Sequence, residues 1–141
     1  NEDERAMLEL LYYTMKALLD KRIPNKLVRA VYELKQLVIN GQYPEFFCCS
    51  ACGSTEKLAG FSIMQNGVVC SSCRNQKGVM DVSPAALYAL QFTVSTPIDR
   101  LYSFTVKDEV LAELTQVMHR CVDAYVDKRM KSLDMLEIVD N

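Results

Sequence analysis

The chain has 141 residues, of which 50% are hydrophobic, a formal net charge of −2 and a pI near 5.4. That length buries one real core without disulfide staples, and the acidic balance excludes a protein whose whole surface is a nucleic-acid footprint. The first residues, Asn1-Glu2-Asp3-Glu4-Arg5, are acidic where a secretory signal would be basic, and no apolar run approaches a membrane span; the expected compartment is the cytoplasm, where thiols stay reduced.

Over residues 4–20 the apolar residues Met7, Leu8, Leu11, Tyr12, Met15, Leu18 and Leu19 recur every three or four positions, which predicts an amphipathic helix packing on that stripe. Ile23-Pro24-Asn25 interrupts it. Asn25 is the expected N-cap of a second helix with the stripe Leu27, Val28, Val31, Leu34 and Val38, stopped by Asn40-Gly41 with Pro44 beyond. A short connection between two helices predicts an antiparallel pair.

From residue 45 to about 77 the helical period gives way to short β-like runs. Phe61-Ser62-Ile63-Met64 alternates, and Asn66-Gly67 ahead of Val68-Val69 predicts a two-residue hairpin turn, because both residues tolerate positive φ. Ser83-Pro84 then restarts helix, with a hydroxyl for the free N–H groups and a proline where no donor is needed. Leu87, Leu90 and Val94 supply its apolar side, and Thr96-Pro97 ends it. Thr105 with Asp108 has the spacing of a capping box before the longest helix, whose stripe is Val110, Leu111, Leu114, Val117, Met118, Cys121 and Tyr125. The expected fold is mainly α, a helical domain with a small inserted β-hairpin carrying cysteines at its ends.

Five of the six cysteines fall within residues 48–73. Counting from Cys49 gives C-x2-C-x17-C-x2-C over Cys49, Cys52, Cys70 and Cys73, a spacing suited to one four-thiolate zinc ion. Two thiolates three residues apart grip an ion from a tight turn, and a hairpin brings the second pair beside the first. Gly53 after Cys52 supplies positive φ to the chain leaving the first turn, whereas Arg74 after Cys73 is less permissive, so the second turn matches less well. With four thiolates no coordination position stays open, so the expected Zn2+, one per chain, is structural. A redox dithiol expects one CxxC at a strand-to-helix junction, and disulfides suit another compartment. Cys48 remains an alternate ligand or an apolar neighbour, and Cys121 on its helix stripe reads as core.

No catalytic apparatus is legible. The one histidine, His119, reads as a surface or core-edge residue, and there is no Gly-rich phosphate loop, Gly-x-Ser-x-Gly or His-Glu-x-x-His. Basic residues cluster around Lys21, Arg22, Lys26 and Arg29, with Lys35 on the same helix; at Arg74 and Lys77; and at Lys128, Arg129 and Lys131. Each cluster is either a solvated face or a grip on phosphates or on a partner's acidic tail.

The order of landmarks then becomes specific. Tyr32-Glu33-Leu34-Lys35-Gln36-Leu37, Gly41-Gln42-Tyr43-Pro44, Cys49-Ser50-Ala51-Cys52-Gly53, Phe61-Ser62, Gly67-Val68-Val69-Cys70-Ser71-Ser72-Cys73, Val82-Ser83-Pro84, Tyr125 and Lys131-Ser132-Leu133 together resemble the C-terminal region of the RecO family of bacterial recombination mediators. Cys49, five residues after Pro44, holds that family's ligand position. The resemblance covers essentially all of residues 1–141. It implies a single C-terminal helical domain with a zinc-binding insertion at about 45–77, preceded in the family by an OB-fold absent here, in keeping with a start at Asn1. It further implies a non-enzymatic DNA repair protein of the bacterial cytoplasm, associated with the nucleoid. The expected partners are a RecR-like protein, the C-terminal tail of single-stranded DNA-binding protein, and single- and double-stranded DNA, the DNA mainly through the absent N-terminal domain. The partner or phosphate contacts are expected near Lys26, Arg29 and Lys35, Arg74 and Lys77, or Lys128, Arg129 and Lys131. Two other classes are a stand-alone zinc-ribbon nucleic-acid binder and a CxxC redox enzyme.

Overall fold

A computed structural model describes the backbone of residues 1–140 and the side chains of residues 1–125. Helices α1 (Glu2–Leu19) and α2 (Asn25–Ile39) come first. Strands β1 (Leu58–Ser62), β2 (Gly67–Cys70) and β3 (Met80–Asp81) follow, then α3 (Pro84–Ser95), a 3-10 turn (Ile98–Arg100) and α4 (Asp108–Asp140). The fold is mainly helical with a small sheet between α2 and α3, and among the described residues no helix is long and apolar enough to cross a membrane.

Each helix boundary has a local cause. Asn1 accepts a hydrogen bond from the Glu4 N–H at 2.8 Å and starts α1. Pro24, rather than Asn25, occupies the N-cap position of α2 and makes no side-chain cap; Asn25 is already helical, and the Pro24 carbonyl accepts from the Leu27 and Val28 N–H groups. At the other end of α2, Gly41 stands at φ 75°. Its N–H reaches Val38 O and the Gln42 N–H reaches Leu37 O, the paired bonds of a Schellman motif. Ser83 caps α3 as its sequence predicts, its Oγ accepting from Ala86 N at 3.2 Å. Glu113 of α4 completes that cap from outside, accepting from Ser83 N at 2.8 Å and from Ser83 Oγ at 2.6 Å. The capping box does not form, because α4 begins only at Asp108 and leaves Thr105 outside the helix.

Most expected stripes pack inward. Leu27, Val28, Val31 and Leu34 of α2, Leu90 of α3 and Val110, Leu111, Leu114, Val117, Met118 and Cys121 of α4 are all buried. Helix α1 is the exception. It buries Leu10, Thr14 and Ala17, while Leu8, Leu11, Tyr12, Met15, Leu18 and Leu19 point outward. Leu10, the small Ala17 and the hydroxyl of Thr14, 2.6 Å from Tyr102 Oη, make the inner face. Apolar periodicity marks an apolar arc, and here the helix carries apolar residues on two sides, so the period alone did not say which side packs.

The sheet has the order β2-β1-β3 with both pairings antiparallel. Phe61 pairs with Val68 and Ser62 with Gly67, and β3, which the sequence pattern did not announce, adds Met80 opposite Phe61. The hairpin is closed by the four residues 63–66 rather than by Asn66-Gly67 alone. Asn66 takes the left-handed conformation at φ 58°, while Gly67 is already in β2. Its lack of a side chain serves a close crossing: a Cβ there would collide with Ser50 Oγ and with the Glu45 backbone, 2.5 Å from its carbonyl oxygen. Through this gap the 45–50 segment is hydrogen-bonded to the hairpin, Glu45 N to Asn66 O, Val68 N to Glu45 O and Ser50 N to Val68 O.

One core joins sheet and helices. Phe46, Phe61, Val68, Met80 and Val82 lie in the same buried cluster as Leu10, Leu34, Leu90, Leu101 and Met118. Phe46 and Phe61 stack with ring centroids 6.0 Å apart. The helices hold the sheet at its rim as well: Gln91 Nε2 donates to Phe46 O at 2.7 Å, Arg120 Nη1 to Gly78 O at 2.9 Å, and Tyr125 Oη to Asn66 Oδ1 at 3.2 Å. Gly67→Ala is expected to cost more than about 2 kcal/mol in denaturant unfolding, as overpacking against backbone does. Gly41→Ala, with open space around it, should cost only about 1 kcal/mol, from its positive φ. Equal costs would show that the crossing at Gly67 relaxes freely.

Candidate metal centre

The two cysteine pairs sit on two tight turns at the same end of the hairpin. The first is closed by Gly53 N donating to Cys49 O at 2.8 Å and Cys49 N to Ser54 O at 2.7 Å, with Gly53 at φ 82° as its position demands. The second is closed by Cys73 N donating to Cys70 O at 3.0 Å. Arg74 is not in the positive-φ region, so this turn needs no glycine at that place; Gly78, at φ 79°, turns the chain further on. The mismatch read at Arg74 therefore has no structural counterpart.

These turns bring the Sγ atoms of Cys49, Cys52, Cys70 and Cys73 within 4.8 Å of one another. The Cys52 and Cys70 sulfurs, one from each pair, are 3.7 Å apart. A tetrahedral ion with Zn–S distances of about 2.3 Å has S···S edges of about 3.8 Å, so this donor set fits a four-thiolate ion. Cys48 stands outside the group, half-buried, and Cys121 is fully buried in the helical core. All six cysteines are free thiols.

The cluster's electrostatics favour an anionic sulfur at Cys49 and a protonated one at Cys73. Burial works to raise the Cys49 thiol, but the backbone N–H groups of Cys70, Cys52 and Ala51 outweigh it and lower the thiol to about 6. Hydrogen bonds with the Cys70 and Cys52 thiols push Cys73 up to about 12, because four sulfurs this close do not all ionise without a cation among them. By contrast, burial pushes Cys121 up to about 12, the behaviour of an inert core thiol. Behind the cysteines, Val69 and Cys70 of β2 and Cys49 form a small apolar cluster with Leu58 and Val79 packed on it.

The basic residues are distributed differently from their sequence clusters. Lys35 is a correction. It is 7% exposed, and its Nζ donates to Thr93 O and Val94 O at 3.1 Å and to Thr96 O at 2.7 Å, capping the C-terminus of α3. It satisfies carbonyls that would otherwise be orphaned, and its ammonium group is spent on this chain's own backbone rather than held out at the surface. Burial lowers its pKa below the ordinary 10.5. Arg74 is paired with the Asp81 carboxylate, while Lys77 is exposed. Lys26 and Arg29 line a cleft of about 310 Å³ between α2 and α4, with Ala30, Glu33, His119 and Val122. Arg29 Nε lies 3.6 Å from Glu33 Oε1. Burial raises the Glu33 pKa against the opposing pull of Arg29 and His119. His119 is exposed, its Nε2 3.3 Å from Asp123 Oδ2. Glu33, His119 and Asp123 escaped notice as cleft residues because their meeting depends on how α2 and α4 pack. Lys128, Arg129 and Lys131 lie outside the described side chains.

With this geometry in view, the class of protein follows from comparison with known chains. A family model described as Recombination protein O C terminal matches residues 1–134, and the chain belongs to that family. It is 35% identical over 121 residues to the DNA repair protein RecO of Acetivibrio thermocellus, covering 84% of this chain and 48% of that protein. It is 30% identical over 143 residues to the DNA repair protein RecO of Halalkalibacterium halodurans, covering 96% and 56%. For the Clostridium perfringens protein of the same name the identity is 32% over 114 residues, covering 80% and 50%. The chain thus spans about half the length of the curated relatives it matches. No solved structure matches it.

If the four cysteines hold one structural metal, Cys70→Ser should lower the metal content from about one zinc per chain to near zero. It should also destabilise the whole chain by roughly 3–5 kcal/mol, a fraction of the about 10–16 kcal/mol that structural zinc supplies to isolated fingers. Elemental analysis with thermal unfolding reads both.

Proposed function

We propose that this chain is the partner-binding half of a RecO-type DNA repair protein, acting without catalysis in recombination. In this reading the zinc-bearing sheet is a structural clamp, and the helices present the binding surfaces. The relatives' shared name, DNA repair protein RecO, supports the repair role.

The observation that carries the partner reading is the cleft between α2 and α4. An acidic peptide tail that ends in apolar residues needs an apolar floor with cations at its mouth. Ala30 and Val122 offer such a floor and Lys26 and Arg29 such a mouth. The C-terminal tail of single-stranded DNA-binding protein has that chemistry, and a RecR-like protein is the second partner the family reading suggests. DNA contact by this half would be secondary. Of the basic candidates with described side chains, Lys35 is buried, Arg74 is paired with Asp81 and Arg29 is shared with Glu33. Of these candidates only Lys26 and Lys77 are exposed with no ion pair among the described residues. A phosphate surface needs more, because each neutralised phosphate adds its own increment to affinity.

Fluorescence anisotropy with an acidic tail peptide and with single-stranded DNA separates these readings. The double variant Lys26→Glu, Arg29→Glu should weaken tail binding at least about tenfold, in line with close interfacial charge pairs worth 1.5 kcal/mol or more. Wild-type DNA binding should stay weaker than about 100 μM at physiological salt. An unchanged tail affinity would remove the cleft from the account, and tight, salt-sensitive DNA binding would favour the nucleic-acid-binding reading.

A further inference from the structure

Helix α1 carries an apolar surface that nothing in the described fold covers. At 100° per residue, Leu8, Leu11, Tyr12, Met15, Leu18 and Leu19 fall within an arc of about 120°. Leu8 is 69% exposed, Met15 58% and Leu19 83%. Glu4 alone shares that arc, near the helix start. The opposite side, with Leu10, Thr14 and Ala17, is buried against the bundle. A helix with a second apolar face outside its buried one has more apolar surface than this fold covers, and a continuous patch of this kind marks an interface rather than scattered surface residues. The patch runs into a groove between α1 and α2, where Met7 and Tyr32 join Leu8 and Leu11.

We propose that the outward face of α1 is the seat on which the N-terminal half of the RecO chain packs. The inference rests on family membership and is independent of the cleft between α2 and α4. The matching family model describes a C-terminal region, and the matched stretches make up 48% and 56% of two relatives. In those proteins the remaining half therefore lies largely ahead of the counterpart of α1. The bare face is on the first helix, the element to which a preceding domain is tethered most closely. A tethered neighbour acts at an effective concentration in the millimolar range, so it takes this face ahead of a second, free copy.

Two methionines make the test internal. Met15 lies in the centre of the face, and Met64, 87% exposed, lies in the hairpin turn far along the chain. The full-length protein is exposed briefly to dilute peroxide at two protein concentrations, and sulfoxide formation is followed by peptide mass spectrometry. Met15 is expected to oxidise at about a tenth of the Met64 rate at both concentrations, since sulfoxide formation follows access to the thioether. Comparable rates at both sites would show the face bare in the full protein and overturn the proposal. Protection of Met15 that disappears on dilution would assign the face to a second copy and overturn it equally.

Discussion

The pairing of Phe61 with Val68 across β1 and β2 is the contact on which the rest of this structure depends. Both side chains leave the sheet on the side of the helices and enter the main core with Phe46, Leu34, Leu90 and Met118. The next residue, Val69, points the opposite way because successive strand residues alternate. It joins Cys49 and Cys70 in a second buried cluster. One short hairpin thus feeds two clusters, the helical core through Phe61 and Val68 and the thiol cluster through Val69 and Cys70. An isolated two-stranded hairpin is marginal in water, and this one is held by the bundle, by β3 and by the two cysteine turns together. The clamp and the helical core share their energy.

The sequence was most legible where chemistry is local. Ser83-Pro84, Asn40-Gly41 and the C-x2-C spacing each act through backbone geometry within a few residues, and the structure carries a cap, a Schellman motif and two matching turns at those places. It was less legible where the outcome depends on an element far along the chain. Lys35 looks like any helix-surface lysine until α3 places three carbonyls around its ammonium group. Gly67 looks like half of a hairpin turn until the 45–50 segment crosses it. Met80–Asp81 is too short to announce itself as a strand and exists because β1 offers it a free edge.

The same distinction explains α1. Its apolar residues show the right period, but the buried face is the one with Leu10, Thr14 and Ala17, where one large apolar side chain is joined by a small residue that allows close approach and by a hydroxyl bonded to Tyr102. The more apolar side stays outside. Local pattern and global packing usually agree, and in this helix they part. The cleft between α2 and α4 arises differently, from two helices whose inner stripes enter the core and whose flanking charges, Lys26, Arg29, Glu33 and Asp123, meet at the margin.

The central claim is that the four-cysteine centre and the helical core form one cooperative unit. Hydrogen exchange along the backbone, measured with and without a metal chelator, tests it most directly. The account predicts that chelation strips protection from β1 and β2 and, with them, from α3 and the amino-terminal half of α4, whose side chains share one buried core with Phe46, Phe61 and Val68. Loss confined to the strands, with the helices as protected as before, would contradict it and make the cysteine-bearing sheet an independent appendage.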